Sequence, residues 1–200
     1  MSRGGGRRRP RGGVARPGPT LRVVAGDLSG RRFAAPPGEG TRPTGERVRE
    51  ATFNALDSLG AVTGARVLDA FAGSGALGIE ALSRGAASAV FVERDRDAAA
   101  AVASNLADLG LEDRATVVTA GAEAVPARGD HHDLVLLDPP YDHDGWDGLL
   151  AGVAGALAEG GIAVIESDRL VAVPATLAVI RSRTYGGTVV QFATPDGAPS

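Results

Sequence analysis

From residue 65 onward the chain repeats one phrase: a short apolar run, a turn, then a stretch of helical periodicity. "ARVLDA" (65–70) reads as a strand and "ALGIEALSRG" (76–85) as a helix closed by Gly85. "SAVFVE" (88–93) is a second strand, followed by the helix "DRDAAAAVASNLADLG" (95–110). "ATVVTA" (115–120) and "DLVLLD" (133–138) are the third and fourth strands. "GWDGLLAGVAGALAEGG" (145–161) is a helix stopped by its Gly-Gly, and "IAVIES" (162–167) the fifth strand. Continuous apolar strands alternating with helices need both faces of a sheet covered, so the pattern predicts a mostly parallel, Rossmann-like α/β fold. The phrase breaks once. "LAVIRSRTYGGTVVQFA" (177–193) holds two strands around a Gly-Gly turn with no helix between them, which predicts an antiparallel hairpin at the end of the sheet.

Ahead of this core, "LRVVAGDLSGRRFAAP" (21–36) reads as a β-hairpin and "TGERVREATFNALDSLG" (44–60) as a helix. Thr44 is placed to cap that helix, Glu46 suits its positive end and Gly60 stops it. Residues 1–20 are Gly/Arg/Pro-rich with little to bury, and are expected to be a disordered basic tail. The expected organisation is therefore a tail (1–20) and one domain (21–200). In that domain the hairpin and helix (21–60) precede the α/β core (61–200).

Charge divides along the same line. Residues 1–50 hold 12 arginines against four acids, while the remaining 150 hold nine against 20. A basic end on an acidic body predicts a polyanionic partner met from one side. There is no cysteine, and His131, His132 and His143 lack metal-ligand spacing, so no metal site is expected. No apolar run could span a bilayer and no signal peptide is evident, so a cytoplasmic protein is expected. His131 and His132 are read as solvent-facing, and Trp146 as core packing for the helix it begins.

"VLDAFAGSGALGIEAL" places Gly73, Gly75 and Gly78 between a strand and a helix, with Glu93 ending the next strand. That is a dinucleotide-binding layout, and it leaves a nicotinamide enzyme open. Asp69 argues otherwise. A pyrophosphate on the following helix N-terminus would meet this carboxylate as a like charge, at a cost of roughly 4 kcal/mol for 4 Å and an effective dielectric near 20. S-adenosylmethionine carries an ammonium and a sulfonium and no phosphate, so a pocket holding Asp69 and Glu93 favours it.

"DLVLLDPPYDHDGW" then supplies an acceptor site. A purine amine is a poor nucleophile because its lone pair is delocalised into the ring. Asp138 and the backbone carbonyl of Pro139 can grip its hydrogens and turn the lone pair toward a methyl group. Pro140 holds Pro139 extended, and Tyr141 can stack on an extruded base, worth about 1–3 kcal/mol.

"DAFAGSG" with "DPPY" resembles the class I methyltransferases that modify exocyclic amino nitrogens. "RVVAGDLSGRRF" with "TRPTGERVREATFNAL" is more specific, and resembles the start of the RsmD family, which methylates N2 of a guanine in 16S ribosomal RNA. The likeness runs from about residue 21 to 194. It implies a seven-stranded sheet with a reversed last strand, and a catalytic loop of Asp138, Pro139, Pro140 and Tyr141. It also implies that Asp69, Ala70, Phe71, Gly73, Gly75 and Glu93 hold S-adenosylmethionine, with Gly121 and Ala122 bordering the adenine.

Around the leading helix, Thr44 and Arg47 are candidates for the methionine carboxylate, with salt bridging of Arg47 to Glu46 or Glu50 as the alternative. Arg31, Arg32, Arg42 and Arg49 are candidates for RNA phosphates. The expected partner is 16S rRNA within the small ribosomal subunit, met by a monomer. Two rival enzymes share part of the pattern, a DNA adenine-N6 methyltransferase and a nicotinamide-dependent oxidoreductase. A non-enzymatic RNA-binding module is the third alternative.

Overall fold

A computed structural model describes residues 20–35, 43–123 and 131–197. The expected tail therefore lies outside the described residues except for Thr20, as does Arg42. Thr20 is not tail: it opens β1 (Thr20–Arg22), which pairs antiparallel with β2 (Arg32–Ala34) as Thr20↔Ala34. The hairpin leads to α1 (Pro43–Ser58), which starts at Pro43, so Thr44 falls in the first turn and is not the cap. Proline suits that opening position because its missing N–H would have no partner there.

The core runs β3 (Arg66–Asp69), α2 (Ala76–Ser83), β4 (Ser88–Glu93), α3 (Arg96–Leu109), β5 (Ala115–Thr119) and β6 (His132–Leu137). It continues through α4 (Trp146–Ala156), β7 (Leu157–Ser167), β8 (Leu177–Tyr185) and β9 (Thr188–Pro195). Seven strands form one sheet in the order β5-β4-β3-β6-β7-β9-β8. β3 to β7 are parallel, and β9 runs antiparallel to both β7 and β8, which is the predicted terminal reversal.

Strand periodicity of two splits the core between the sheet's faces. Val67, Phe91, Leu134, Leu136, Val164 and Phe192 pack with residues of α1, α2 and α3 such as Phe53, Ile79 and Val102. Leu68, Val135, Leu137, Ala163 and Ile165 pack with Leu150 and Val153 of α4. α2 lies so close to β4 that a Cβ on Gly78 would fall 2.3 Å from the Phe91 ring, which is the packing demand on the third glycine of the turn.

Two boundaries differ from the sequence reading. The helix expected to reach Gly161 ends at Ala156, and Leu157 already pairs with His132. Gly160 takes φ 73° here, and a Cβ on Gly161 would sit 3.0–3.2 Å from the carbonyls of Ala158, His132 and Asp133. The Gly-Gly is thus a close strand approach, and a helix stop is not needed. His132, expected in solvent, is buried as the first residue of β6, whereas His131 is exposed. Trp146 is buried at the start of α4, as expected.

Candidate active site

The strand order reverses between β3 and β6, and the crevice beyond the carboxyl ends of such strands is where ligands bind in open α/β sheets. Asp69 ends β3 opposite Leu136 of β6, two residues before Asp138. Both acids therefore project from the same sheet face, at adjoining levels of adjoining strands. Asp69 is buried; its Oδ2 accepts the Gly78 N–H at 2.9 Å and its Oδ1 has no partner. Burial first, then the nearby Asp138 and Glu93 charges, raise its pKa to about 7 against the Gly78 N–H.

The glycine turn is shaped from within. Gly73 and Gly75 adopt φ 51° and 79°, left-handed values that favour glycine. Gly75 occupies the N-cap position of α2 and its N–H reaches the Ala72 carbonyl at 2.6 Å. Glu93, at the end of β4, accepts from Gly73 N–H at 2.9 Å and from Asp95 N–H at 2.8 Å. It ties the turn to the next loop. Ala70 is buried, and Phe71 is partly exposed with its ring edge-on to His143 at 5.7 Å. Gly121 follows β5; a Cβ there would meet the Glu123 carboxylate at 2.1–2.4 Å, so Glu123 folds over it, and Ala122 is buried.

The Asp-Pro-Pro-Tyr segment leaves β6 directly above this turn. Asp138, Pro140 and Tyr141 are exposed and Pro139 is buried. The Tyr141 hydroxyl lies 3.3 Å from Thr188 Oγ1, and Arg169, after β7, donates to the carbonyls of Tyr141 at 3.3 Å and His143 at 3.0 Å. His143 N–H in turn donates to the Pro140 carbonyl at 2.9 Å. The loop is braced on both sides. His143 Nε2 and Trp146 Nε1 are buried beneath it without partners, their rings edge-on at 5.1 Å.

The arginines separate. Arg31, Arg32 and Arg47 are exposed, although Arg31 also donates to the Asp108 carbonyl at 3.0 Å. Arg49 is not available to a phosphate on the surface. It is 5 % exposed, donates to the Arg22 carbonyl at 2.6 Å and lies 3.7 Å from the Glu80 carboxylate. That corrects the reading of Arg49 as an RNA contact: its side chain is an internal charge whose place is set by a buried acid.

Two residues that matter were not singled out by sequence. Glu80, buried on α2, accepts from the Val24 and Ala25 N–H groups at 2.8 and 3.0 Å and from Arg84 Nε at 2.8 Å. Glu166, at the end of β7, follows the last paired level Leu137↔Ile165, so it stands beside Asp138 on the same sheet face. Burial, then the Asp138 charge, raise its pKa to about 8, with Arg49 opposing. An acid ending the strand beside "DPPY" was the available signal. Among the described residues no cluster of side chains suited to a metal ion is found, and no helix is long and apolar enough to cross a membrane.

The family model described as conserved hypothetical protein 95 matches residues 21–194. Ribosomal RNA small subunit methyltransferase D of Escherichia coli (strain K12) is 36 % identical over 175 residues, covering 83 % of this chain and 85 % of that protein. YlbH of Bacillus subtilis (strain 168) is 41 % identical over 179 residues, covering 85 % of this chain and 96 % of that one. The solved structure of yhhF from Escherichia coli aligns with a TM-score of 0.79 at 34 % identity, over 88 % of this chain and 98 % of that chain.

Proposed function

The chain belongs to the RsmD family of methyltransferases, that of conserved hypothetical protein 95, and from that premise we propose that it methylates the N2 amine of a guanine in 16S ribosomal RNA. The observation that carries this reading is the placement of Asp69 and Asp138 on one sheet face, at adjoining levels beyond the ends of adjacent parallel strands. The glycine turn follows one of them and the Asp-Pro-Pro-Tyr loop the other.

Bound along the Gly73–Gly75 turn, S-adenosylmethionine supplies an electrophilic methyl group. The residues present fit it. The unpartnered, buried Oδ1 of Asp69 suits a cationic neighbour, and Glu93 stands at the strand end where ribose hydroxyls would be accepted. Phe71, Gly121 and Ala122 would border the adenine, with Thr44 and Arg47 toward the carboxylate end.

Asp138 and the Pro139 carbonyl accept the two N2 hydrogens and aim the lone pair at the methyl carbon. Asp138 orients and need not be a strong base, because the amine proton leaves to water once nitrogen has become cationic. Pro140 restricts the backbone that presents the Pro139 carbonyl. Tyr141, 45 % exposed and with its hydroxyl against Thr188, offers a ring face to the extruded base. Holding amine and methyl in line is where the largest part of the acceleration arises.

Arg31 and Arg32, with Arg42, meet the RNA backbone, and the assembled small subunit presents the base to a single-domain monomer. Incubation with labelled S-adenosylmethionine and undermodified small subunits, followed by mapping of the labelled base, tests the assignment. Label on a guanine N2 of 16S rRNA is expected. No label on the subunits, with label instead on adenine of DNA oligonucleotides incubated in parallel, would overturn it. Raising salt should weaken RNA affinity steeply while donor affinity barely changes, and parallel salt slopes would remove the arginines from the RNA interface.

A further inference from the structure

Glu166 has no role in the scheme above, yet its placement is unusual for a surface acid. β6 and β7 pair in parallel through Leu136↔Val164 and Leu137↔Ile165, so the next level sets Asp138 beside Glu166. Neighbouring strands lie about 4.7–4.9 Å apart, a span comparable with that from N2 to O6 across the Watson–Crick edge of guanine. On its other side Glu166 pairs with Val190 of β9, which is fully buried and offers nothing polar. The charged groups facing it are Asp138 from β6 and Arg49 from α1, with Asp69 on β3 beyond Asp138. Arg49 is already engaged with Glu80 and the Arg22 carbonyl. Glu166 is partly exposed, and its carboxyl makes no hydrogen bond or ion pair among the described residues. A largely enclosed carboxyl at the strand ends with no hydrogen-bond partner is a group awaiting one.

Resting on the guanine-N2 reading, we propose that Glu166 anchors the target base by its O6 and N1–H, while Asp138 holds the N2 amine. The three polar atoms of the guanine edge run O6, N1, N2, and two side chains on adjoining strands meet them in that order. The pairing needs one donor and one acceptor from Glu166: its hydroxyl donates to O6 and its carbonyl accepts the N1–H. Burial and the Asp138 charge favour this neutral form below about pH 8. Asp138, exposed at the rim, remains the acceptor for the amine. With both ends of the edge held, the base cannot pivot about N2, and the lone pair keeps its aim.

The test compares Glu166→Gln with Glu166→Ala on undermodified small subunits, with donor binding by calorimetry as the control for folding. Glutamine reproduces the neutral acid, one donor beside one acceptor. E166Q should stay close to wild type at pH 7 and lose the fall in activity that wild type shows as pH rises through about 8. E166A should lose roughly thirtyfold or more in kcat/KM for subunits, the worth of about two net hydrogen bonds, with donor affinity unchanged. An E166A protein as active as wild type overturns the assignment, and so does an E166Q protein as damaged as E166A. Wild-type protein that transfers no methyl group to subunits overturns the function itself, and the base anchor with it. An active wild type with an unaffected E166A overturns the anchor alone.

Discussion

The seam where the N-terminal hairpin meets α2 and α3 and the region at the carboxyl ends of the strands treat their buried polar groups in largely opposite ways. Where the N-terminal hairpin meets α2 and α3, most buried polar side-chain atoms are matched with partners, and the exceptions among the described residues are Arg84 Nη2 and Arg49 Nε, both beside Glu80. Glu80 accepts from two hairpin N–H groups and Arg84. Ser83 accepts from Leu28 N–H at 3.0 Å and donates to the Ala25 carbonyl at 2.5 Å. Asn105 exchanges a pair of hydrogen bonds with Ala34, both at 2.9 Å. At the carboxyl ends of the strands and on the helices beside them, Asp69 Oδ1, Thr52 Oγ1, His143 Nε2 and Trp146 Nε1 are buried without partners. Each such group costs about 1–3 kcal/mol. The seam is mostly satisfied, as a fastening requires, while the strand ends keep unpaired groups that suit the proposed receptor.

The strongest way to break this contrast is Glu80→Ala. It strands two hairpin N–H groups and leaves Arg49 and Arg84 facing each other across an empty site. Removing one partner from a buried charge network costs about 3–5 kcal/mol, so chemical denaturation should show a fall of that order; a loss below 1 kcal/mol would deny Glu80 its fastening role. Asp138→Ala should do the reverse. Its carboxylate is exposed, so stability should move by less than about 0.5 kcal/mol, while kcat falls roughly 10²–10³-fold, about 3–4 kcal/mol. Single-turnover kinetics read the second effect, and an unchanged kcat would place the chemistry elsewhere.

Asn105→Ala opens the seam at one stitch. Ala34 is left with an unpaired N–H and carbonyl, and a loss of about 1–3 kcal/mol is expected, read as a drop in Tm of several degrees. The effect at Asp69 has the opposite sign. With its folded pKa raised from 3.8 to about 7, the native state holds a proton that the unfolded chain releases. This group's contribution is therefore fully present below about pH 4 and is lost as pH rises through about 7. Asp69→Asn should flatten the decline in that window and raise Tm modestly at pH 8, while weakening donor binding. A variant that gains stability and keeps full donor affinity would take Asp69 out of the receptor.

The fold was largely legible because its signals are local. Each strand announces itself as a short apolar run, each turn by glycine, and the missing helix between β8 and β9 marks the reversal. The Asp-Pro-Pro-Tyr loop and the glycine turn were legible for the same reason. What escaped depends on contacts between residues distant in sequence. Arg49 reads as one more surface arginine of a basic helix until α2 brings Glu80 beneath it. Glu80 itself reads as a helix acid, and its partners Val24 and Ala25 lie 56 and 55 residues away. Glu166 acquires meaning only from the register of β7 against β6. The early end of α4 was hidden because "LAEGG" suits a helix terminus as well as a tight strand approach.

β9 follows β8 in the chain yet lies between β7 and β8 in the sheet. During synthesis, therefore, β8 emerges with no neighbour to join, and the β7 edge stays open until residues 188–195 have been made. The wall beside Glu166 and the Thr188 tether of Tyr141 both come from that final stretch. The proposed site therefore lacks these two supports until the strand that closes the gap has been made.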